Sequence, residues 1–416
     1  TEAILASLER PHERAPFESR PLPTHPLEGI RVLDFTGYLA GPTAGRLLVE
    51  LGAEVIKVEP PEGEGFRGAG LSCAGINLGK KSVAIDSRSP QGRQILERLM
   101  QSADVLLHAL IPGAPEKLGL DYDTVRQINP KLVYCWISGF GQAKQWKGRP
   151  SFDLLLQALS GQMLSLGTVE QPVYSSIPMA DLYAGMTSLY GIVLGLSVRD
   201  RTGEGMFVST NQVASSMAAQ QGEFVKFEGM PQASVTANAI GTGACYRYYR
   251  AADGWVILSA RDGVTWQRMV EAFPAELATW QQWDSARQQA AEGELARALQ
   301  SIFAGMTRHE VKERLTKKGA PCAPVVIVRD DRLSNEYFGD LDVLRSGITH
   351  DHFGNITTVA DFFRMSVTPS LVPKLAQWVG EQNSEVLRSV NYSEADITRF
   401  LAEGVIAAPE LRMARV

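Results

Sequence analysis

Residues 31–42 read Arg31-Val32-Leu33-Asp34-Phe35-Thr36-Gly37-Tyr38-Leu39-Ala40-Gly41-Pro42, a short apolar run that leads into a loop with two glycines. A helical pattern follows over residues 43–51, and a second apolar run over residues 54–58. Strand, loop, helix and strand in this order predict a βαβ unit with parallel strands. Because ligands collect beyond the carboxyl ends of such strands, the loop over residues 36–42 is predicted to form a wall of a ligand site.

The same alternation continues along the chain. Further strands are predicted over residues 82–85, 104–108 and 132–137, and helices over residues 90–102 and 122–128. Short, continuous apolar strands separated by helices are typical of a mostly parallel sheet that is covered on both faces. The predicted fold class is therefore α/β, with a doubly wound, mostly parallel sheet.

A second unit is indicated after residue 225, where the composition becomes more polar. At 416 residues the chain is too long for one ordinary core. A hairpin (246–249 and 255–259) and helices (264–272, 286–303 and 308–318) predict a small α+β domain; the chain is then loop-rich to residue 368 and ends in a helical segment over 393–403. We predict the first part of a large domain over residues 1–225, the small domain over 226–326, and a return linker with the C-terminal part of the large domain over 327–416.

Charge and cysteine usage exclude several function classes. The formal net charge is −5 and no Lys/Arg-rich run occurs, which argues against a nucleic-acid partner. An anionic ligand must then be met by local clusters of cations. The four cysteines (Cys73, Cys135, Cys245 and Cys322) form no CxxC pair and have no His at zinc-finger spacing, so neither a disulfide framework nor a metal site is predicted. Reduced thiols and a cytoplasmic location are expected.

Two segments bear on targeting and membranes. Residues 1–26 mix charge with several prolines and lack the apolar core of a signal peptide, which predicts an arm or strap. Residues 182–198 are the most membrane-like stretch, but they are few for a span and include hydroxyl side chains and two tyrosines. We predict a buried core helix, in which Gly191 and Gly195 let another element approach closely, and no membrane partner.

The first loop also invites a dinucleotide interpretation, because Glu59 closes the second strand about twenty residues after the glycines. However, the glycines fall at Gly37, Gly41 and Gly45, which is not the GxGxxG spacing that a pyrophosphate requires. A Walker-type phosphate loop is also absent from the sequence. An NAD(P) site is therefore disfavoured.

Asp181 is the first candidate for catalysis. It lies between an extended run over residues 176–180 and an apolar helix predicted to begin at Leu182. A carboxylate at the positive end of a helix dipole is favoured in its ionised form, and such a group can attack an acyl carbon. The alternative is a structural one, in which Asp181 only caps the first N–H groups of the helix.

Motifs spread over most of the chain resemble family III CoA-transferases, whose members include formyl-CoA transferase and carnitine CoA-transferase. The matching segments are Leu27-Glu28-Gly29-Ile30-Arg31-Val32-Leu33-Asp34-Phe35-Thr36, Ala40-Gly41-Pro42, Leu51-Gly52-Ala53-Glu54-Val55-Ile56-Lys57-Val58-Glu59, Lys80-Lys81-Ser82-Val83-Ala84-Ile85-Asp86, Leu118-Gly119-Leu120, Asn129-Pro130, Ile137-Ser138-Gly139-Phe140-Gly141, Phe152-Asp153, Gln157-Ala158-Leu159-Ser160-Gly161, Ala180-Asp181, Arg201-Thr202-Gly203-Glu204-Gly205 and Gly404-Val405-Ile406.

This resemblance implies a reaction and its supporting residues. Asp181 matches the family's catalytic aspartate, which forms an aspartyl anhydride and then an aspartyl-CoA thioester on the way from an acyl-CoA to a carboxylate acceptor. Asp153 would orient the site or tune Asp181, although a plain helix cap is the alternative. Gly241 and Gly243 resemble the family's mobile glycine-rich loop, with a flexible interdomain loop as the alternative. Coenzyme A would enter as part of the substrate, without any other tightly bound cofactor.

The resemblance also implies a CoA-binding groove. Three cations fall at or next to family contact positions, although each could equally be a solvated surface residue: Arg88, Lys117 and Arg149. Other segments that match the groove contribute Tyr38, Leu39, Ala40, Ile85, Asp86, Ala109, Leu110 and Ile111.

Three departures from the family pattern narrow the function. Phe152 stands where the related α-methylacyl-CoA racemases have a proton-transferring histidine, which weakens the alternative of a racemase-like isomerase. Leu39 replaces a glutamine of formyl-CoA transferase, which indicates an acyl group larger or less polar than formyl or oxalyl. Ile111 replaces an arginine that is frequent before Pro-Gly. A CoA shift within one dicarboxylate, as in mesaconyl-CoA C1–C4 transfer, and a non-catalytic CoA-binding protein remain further alternatives.

The family's architecture completes the expectation. It implies a ring-like protomer, in which the small domain is inserted between the two parts of the large domain. Two protomers of the family interlock like chain links, so the resemblance implies a homodimer. Acyl-CoA and carboxylic acids are the expected substrates.

Overall fold

The computed structural model describes residues 21–142, 144–146, 148–225, 227–229, 240–282, 284, 290–326, 344–350, 354–359, 362–371 and 378–409. The predicted N-terminal arm lies outside the described residues except for residues 21–26. Much of the predicted return linker lies outside them as well.

The main sheet is built from six parallel strands in the order β3-β2-β1-β4-β5-β6. These strands are β1 (Arg31–Phe35), β2 (Glu54–Glu59), β3 (Lys81–Ala84), β4 (Val105–His108), β5 (Val133–Ser138) and β6 (Phe207–Asn211). The order reverses between β1 and β4, and this is where ligands bind in open parallel sheets. The prediction of a mostly parallel α/β fold is confirmed, and the edge strand β6 was not predicted.

Helices cover both faces of this sheet. They are α1 (Ala40–Glu50), α2 (Leu71–Ile76), α3 (Pro90–Gln101), α4 (Ala114–Leu118), α5 (Tyr122–Ile128), α6 (Asp153–Leu159), α7 (Gln162–Leu166), α8 (Met179–Thr202) and α9 (Gln212–Ala219). Alternate strand residues face opposite sides: Leu33 and Ile56 pack with α3, whereas Val32 and Val55 pack with α1 and α8. Burial on both faces explains why these strands are continuously apolar.

Helix α8 is the 24-residue centre of one face. A Cβ on Gly191 would lie 2.7 Å from Val208, and one on Gly195 would lie 2.8 Å from Val133, so the predicted close approach is confirmed. Among the described helices, α8 alone is long and apolar enough to cross a membrane, which is weak evidence because core helices share these properties. One side of α8 is buried against α1 and the sheet and the other side is exposed, so the predicted buried core helix is buried along one side only.

A second sheet of four strands has its own core. Its order is β10-β9-β8-β7, with β7 (Gly241–Gly243), β8 (Tyr246–Ala251), β9 (Gly254–Ser259) and β10 (Cys322–Pro324), and it packs with α10 (Gly263–Ala272), α11 (Glu294–Ala304) and α12 (Arg308–Thr316). The β8–β9 hairpin agrees with the predicted one. Helix α11 begins at Glu294, directly after a turn over residues 290–293 in which the Gly293 N–H donates to the carbonyl oxygen of Ala290. Residues 286–289 of the predicted helix lie outside the described residues. The predicted domain boundaries remain predictions.

The C-terminal residues return to the main sheet. A hairpin of β11 (Leu344–His350) and β12 (Gly354–Val359) lies where the sequence predicted loops, and α13 (Asn383–Ser389) was also not predicted. The last described helix is α14 (Glu394–Ala402). Ile406 then pairs with Ile85, directly after the edge strand β3.

Candidate active site

A cavity of about 510 Å³ lies beyond the carboxyl ends of β1, β4, β5 and β6. Its walls are the loops after these strands, over residues 37–40, 109–112 and 138–141, together with Asp153 and Asp181. The first loop forms a wall of this cavity, as the strand order requires. The sequence therefore located the cavity from the βαβ pattern alone.

Asp181 lies in the first turn of α8, with only 8% of its surface exposed. The helix begins at Met179 rather than at the predicted Leu182, and its N-cap residue, Pro178, makes no side-chain capping bond. The Asp153 carboxylate supplies the cap instead, since its Oδ1 accepts from the backbone N–H of Ala180 (2.8 Å) and of Asp181 (3.2 Å). The alternative in which Asp181 is only an N-cap is therefore wrong, and its carboxylate is left to line the cavity.

Asp153 is fixed by a second layer of hydrogen bonds. Gln157, one turn later on α6, donates from Nε2 to Asp153 Oδ2 and to the carbonyl oxygen of Ser175 (3.0 Å). The N–H of Ser175 donates back to Gln157 Oε1 at 2.9 Å. Asp153 does not cap its own helix, whose N-cap is Phe152. It caps α8 and thereby positions Asp181.

Gln212 is a site residue that the sequence analysis missed. It is the first residue of α9, directly after β6, and it is buried at the cavity wall. Its Nε2 donates to Asp181 Oδ1, and its Oε1 accepts from the Ser151 hydroxyl at 3.3 Å. Recognising β6 would have found it, because the residue after a parallel strand faces the ligand edge of the sheet.

The pKa of Asp181 is higher than its position at a helix start predicts. Burial, reinforced by the nearby Asp153 carboxylate, raises the pKa of Asp181 to about 6, and the hydrogen bond from Gln212 opposes this shift. The sequence had indicated a helix end that favours ionisation. Burial and a like charge outweigh that effect here, yet the group is still mainly ionised at neutral pH.

The first loop is held in an unusual backbone conformation. Tyr38 has a φ of +59°, in the left-handed region that non-glycine residues seldom adopt. Its N–H points to Glu64 Oε2 at 3.4 Å, and Glu64 is in turn paired with the buried Lys57 at 3.5 Å. The ring of Tyr38 meets the Phe152 ring edge-on, with centroids 6.2 Å apart. Charges beneath the loop thus hold an aromatic wall in place.

The loop after β4 is anchored by His108. This buried residue accepts from the Leu110 N–H at Nδ1 (3.3 Å), and its ring meets that of Tyr134 with centroids 5.0 Å apart. Burial lowers the pKa of His108 to about 4, so its ring is neutral. A neutral ring keeps Nδ1 free to accept and fixes the turn that carries Ala109, Leu110 and Ile111.

The predicted CoA-binding residues divide into two groups. Those that line the cavity are Tyr38, Leu39, Ala40, Ala109, Leu110, Ile111 and Arg149. Arg149 is the one cation among the described lining residues, and its guanidinium lies 4.8 Å from the centroid of the Trp146 ring. Its contact with CoA remains a prediction.

The second group lies outside the cavity. Ile85 is buried beside Ile406, while Asp86 pairs with the exposed Arg88 at 2.9 Å. Lys117 lies in the last turn of α4. Gly241 and Gly243 form strand β7 of the second sheet, and neither is among the residues that line the cavity. Their role over the site remains a prediction.

Comparison with known proteins assigns the family. The sequence model described as CoA-transferase family III matches residues 27–383. This chain belongs to CoA-transferase family III. The match spans both sheets and includes Asp153, Asp181 and Gln212.

Two relatives that are named as CoA-transferases, and one solved structure, match nearly the whole chain. The succinyl-CoA:glutarate CoA-transferase of Mus musculus is 28% identical over 93% of this chain and 92% of that protein. The formyl-CoA:oxalate CoA-transferase of Streptomyces coelicolor is 28% identical over 91% of this chain and 99% of that protein. A hypothetical protein from Mycobacterium tuberculosis (Rv3272) superimposes with a TM-score of 0.75 at 29% identity, covering 88% of this chain and 99% of that one. The chain is thus a CoA-transferase of this family, and acyl-CoA and carboxylic acid substrates fit the activities named for these relatives.

Proposed function

We propose that this enzyme moves CoA from an acyl-CoA thioester to a carboxylate acceptor by covalent catalysis at Asp181. The observation that carries the proposal is the setting of this carboxylate: it is buried, lines the cavity and is not used to cap its own helix. A positioned, buried and mainly ionised carboxylate is a competent acyl nucleophile. Asp153 positions Asp181 by accepting hydrogen bonds from the backbone N–H groups of Ala180 and Asp181.

The proposed reaction has two acyl-transfer steps for the donor and the same two steps in reverse for the acceptor. Asp181 Oδ2 attacks the acyl carbon, the C–S bond breaks, and the thiolate leaves with the electron pair, which gives an aspartyl anhydride. The thiolate then attacks Asp181 Cγ, and the donor carboxylate leaves with Oδ2, which gives an aspartyl-CoA thioester. The acceptor carboxylate reverses both steps. Both intermediates are activated acyl groups, so excluding water from the cavity is essential.

We propose that the apolar loops over residues 37–40 and 109–112 contact the thioester arm of CoA. Arg149, which lines the cavity, would meet a phosphate, and Arg88 and Lys117 would act beyond it. CoA enters as part of the substrate in this proposal, without a separate tightly bound cofactor. Leu39 and Ile111 leave the acyl end apolar. An intramolecular transfer on a dicarboxylyl-CoA such as mesaconyl-CoA is included as one form of the same chemistry.

An isotope experiment tests the covalent route. One full turnover with an acceptor carboxylate labelled with heavy oxygen should leave one labelled oxygen in Asp181, because its original Oδ2 departs with the donor acid. Mass spectrometry of the peptide that contains Asp181 measures this. An unlabelled peptide after demonstrated turnover would remove Asp181 as the nucleophile. Solvent deuterium uptake at the acyl α-carbon without CoA transfer would instead favour the racemase-like alternative, although Phe152 supplies no base in this cavity.

We also propose a homodimer, which the family resemblance expects to be interlocked. Exposed apolar side chains follow one face of α8 at helical spacing: Met186, Tyr190, Val193 and Leu194. Leu154, Leu155 and Leu159 add exposed apolar surface on α6. Exposed apolar side chains grouped on a helix face favour an interaction site. Light scattering after size exclusion should give twice the mass of one chain, and a monomer at micromolar concentration would contradict the proposal.

A further inference from the structure

The two carboxylate oxygens of Asp181 have different surroundings. Oδ1 accepts a hydrogen bond from Nε2 of Gln212, whereas none of the described groups donates to Oδ2. Gln212 is itself 7% exposed and begins α9 directly after β6, so its backbone is fixed by the sheet. The protein thus presents one oxygen held by a donor and one oxygen open to the cavity.

The orientation of the Gln212 amide follows from Asp181, because an ionised carboxylate only accepts hydrogen bonds and therefore faces the NH₂ end of the amide. The carbonyl end then lies toward Ser151, whose hydroxyl donates to Oε1 at 3.3 Å. Gly139 makes room for this contact, because a Cβ there would lie 2.1 Å from the Ser151 Cβ. An amide fixed in this way is a preorganised donor, which needs no reorganisation when charge develops.

We propose that Gln212 is a catalytic residue that stabilises the oxyanion formed on Asp181 itself. The inference rests on the proposed function, in which the CoA thiolate attacks Asp181 Cγ. When that bond forms, the electron pair of the Cγ=Oδ1 bond moves to Oδ1. The oxyanion collapses by breaking the Cγ–Oδ2 bond, and Oδ2 leaves with the donor carboxylate. The same oxyanion forms when the acceptor carboxylate attacks the thioester. In both steps the negative charge develops on Oδ1, the atom to which Gln212 donates its hydrogen bond.

A neutral amide suits this position better than an acid would. Asp153 already raises the pKa of Asp181, and a carboxylate at residue 212 would add a second negative charge beside the oxyanion. A glutamine instead donates without adding charge. Burial strengthens the bond, because hydrogen bonds to a developing charge gain in a water-poor site.

A rapid-quench experiment separates this role from alternatives. The enzyme is mixed with an acyl-CoA in the absence of acceptor, and release of the donor acid is timed, since that release requires attack at Cγ. Gln212→Leu should slow it by about 10²–10³-fold, the effect of losing one oxyanion donor. The Kd for acyl-CoA should stay close to the wild-type value. Gln220→Leu is the matched control, because Gln220 directly follows the same helix and is not among the residues that line the cavity; this variant should release acid at the wild-type rate.

The pH profile decides between an oxyanion role and simple tuning of Asp181. If Gln212 only lowers the pKa of Asp181, the defect of Gln212→Leu disappears well above the acid limb. The oxyanion role keeps the loss at high pH. Gln212→Glu, close in shape, guards against misfolding of the leucine variant and should be at least as slow at neutral pH. Acid release within about threefold of wild type in both variants would overturn the proposal. Absence of stoichiometric acid release from wild-type enzyme would overturn it together with the covalent route.

Discussion

On the proposed covalent route, the charge state of a single carboxylate sets the pH range in which this site works. Asp181 must lose its proton before it can attack on that route, and burial next to Asp153 raises its pKa to about 6. We therefore expect kcat/KM to fall as the pH drops through about 6, because the protonated form is no nucleophile. Measuring the acid limb of the pH profile with saturating acceptor checks this. A limb near the ordinary value of 3.8 would show that the site does not raise this pKa.

Asp153→Asn removes the charge of Asp153 and keeps its capping oxygen, and it also removes the hydrogen bond from Gln157 to Oδ2, because an NH₂ group then stands at that position. The amide oxygen can still accept from the N–H groups of Ala180 and Asp181, but the negative charge is gone. The pKa of Asp181 should fall, so the acid limb should move to lower pH. Asp153→Ala also removes the cap and should lower the free energy of unfolding by about 1 kcal/mol more than Asp153→Asn. An unchanged acid limb in Asp153→Asn would contradict the repulsion between the two carboxylates.

The same raised pKa makes Asp181 a cost to stability. Between pH 3.8 and about 6 the folded chain holds a proton that the unfolded chain has released. Stability therefore decreases as the pH rises through this window, and the whole cost is present above it. Asp181→Asn should raise the free energy of unfolding at neutral pH by up to about 3 kcal/mol, and the gain should vanish below the window. Urea unfolding of the wild type and of Asp181→Asn, at neutral pH and at a pH below this window, measures the difference in unfolding free energy.

At the scale of elements, the contact between α1 and α8 places Asp181 against the first loop. Gly185, one turn after Asp181, has no room for a side chain, because a Cβ would lie 2.7 Å from the carbonyl oxygen of Ala40. Gly185→Ala should therefore destabilise the protein by about 1–3 kcal/mol, although alanine favours helices. Gly75→Ala is the matched control: it is also helical but has open space, so it should be neutral or slightly stabilising. Thermal unfolding of the two variants compares them, and equal melting temperatures would refute the close contact.

The elements could be predicted where their signals were local. The first five strands agree with the structure to within one residue at each end, because strands buried on both faces are continuously apolar. Strand β6 was not predicted, because it lies at the edge of the sheet and is only partly buried. Its sequence is therefore partly polar: Phe207-Val208-Ser209-Thr210-Asn211. Gln212 was lost with it.

Other parts of the site depended on distant contacts. The cap on α8 comes from Asp153, 27 positions earlier, and no local pattern reports such a bond. The position of Asp181 at a helix start made it a candidate and the motif resemblance added Asp153, but the geometry was needed to show which one caps the helix and which one faces the cavity. Likewise, the resemblance grouped Asp86, Arg88 and Lys117 with the cavity residues, and the structure places them outside its lining. Their contribution depends on how a bound CoA extends beyond the cavity.

At the scale of the whole molecule, residues 378–409 complete the edge of the main sheet. Asn383 accepts from the Ala84 N–H at 2.9 Å and donates to the carbonyl oxygen of Ala407 at 2.6 Å. Asn383→Ala should cost about 2–3 kcal/mol of unfolding free energy, because buried backbone partners are left unpaired. Ser389→Ala, on the exposed side of the same helix, is the control and should cost little. A small effect of Asn383→Ala on the urea midpoint would show that this edge is not secured there.

The hydrogen bonds between β3 and residues 382–383 can form only late in synthesis of the chain. The N–H of Ser82 finds its acceptor on Gln382, 300 positions later in the chain. Until those residues leave the ribosome, β3 presents an open strand edge, and such edges invite pairing with other chains. Closing it late also adds contacts of long sequence separation, which slow folding. A nascent chain of this enzyme therefore carries an open strand edge at β3 until its residues near 382 have been synthesised.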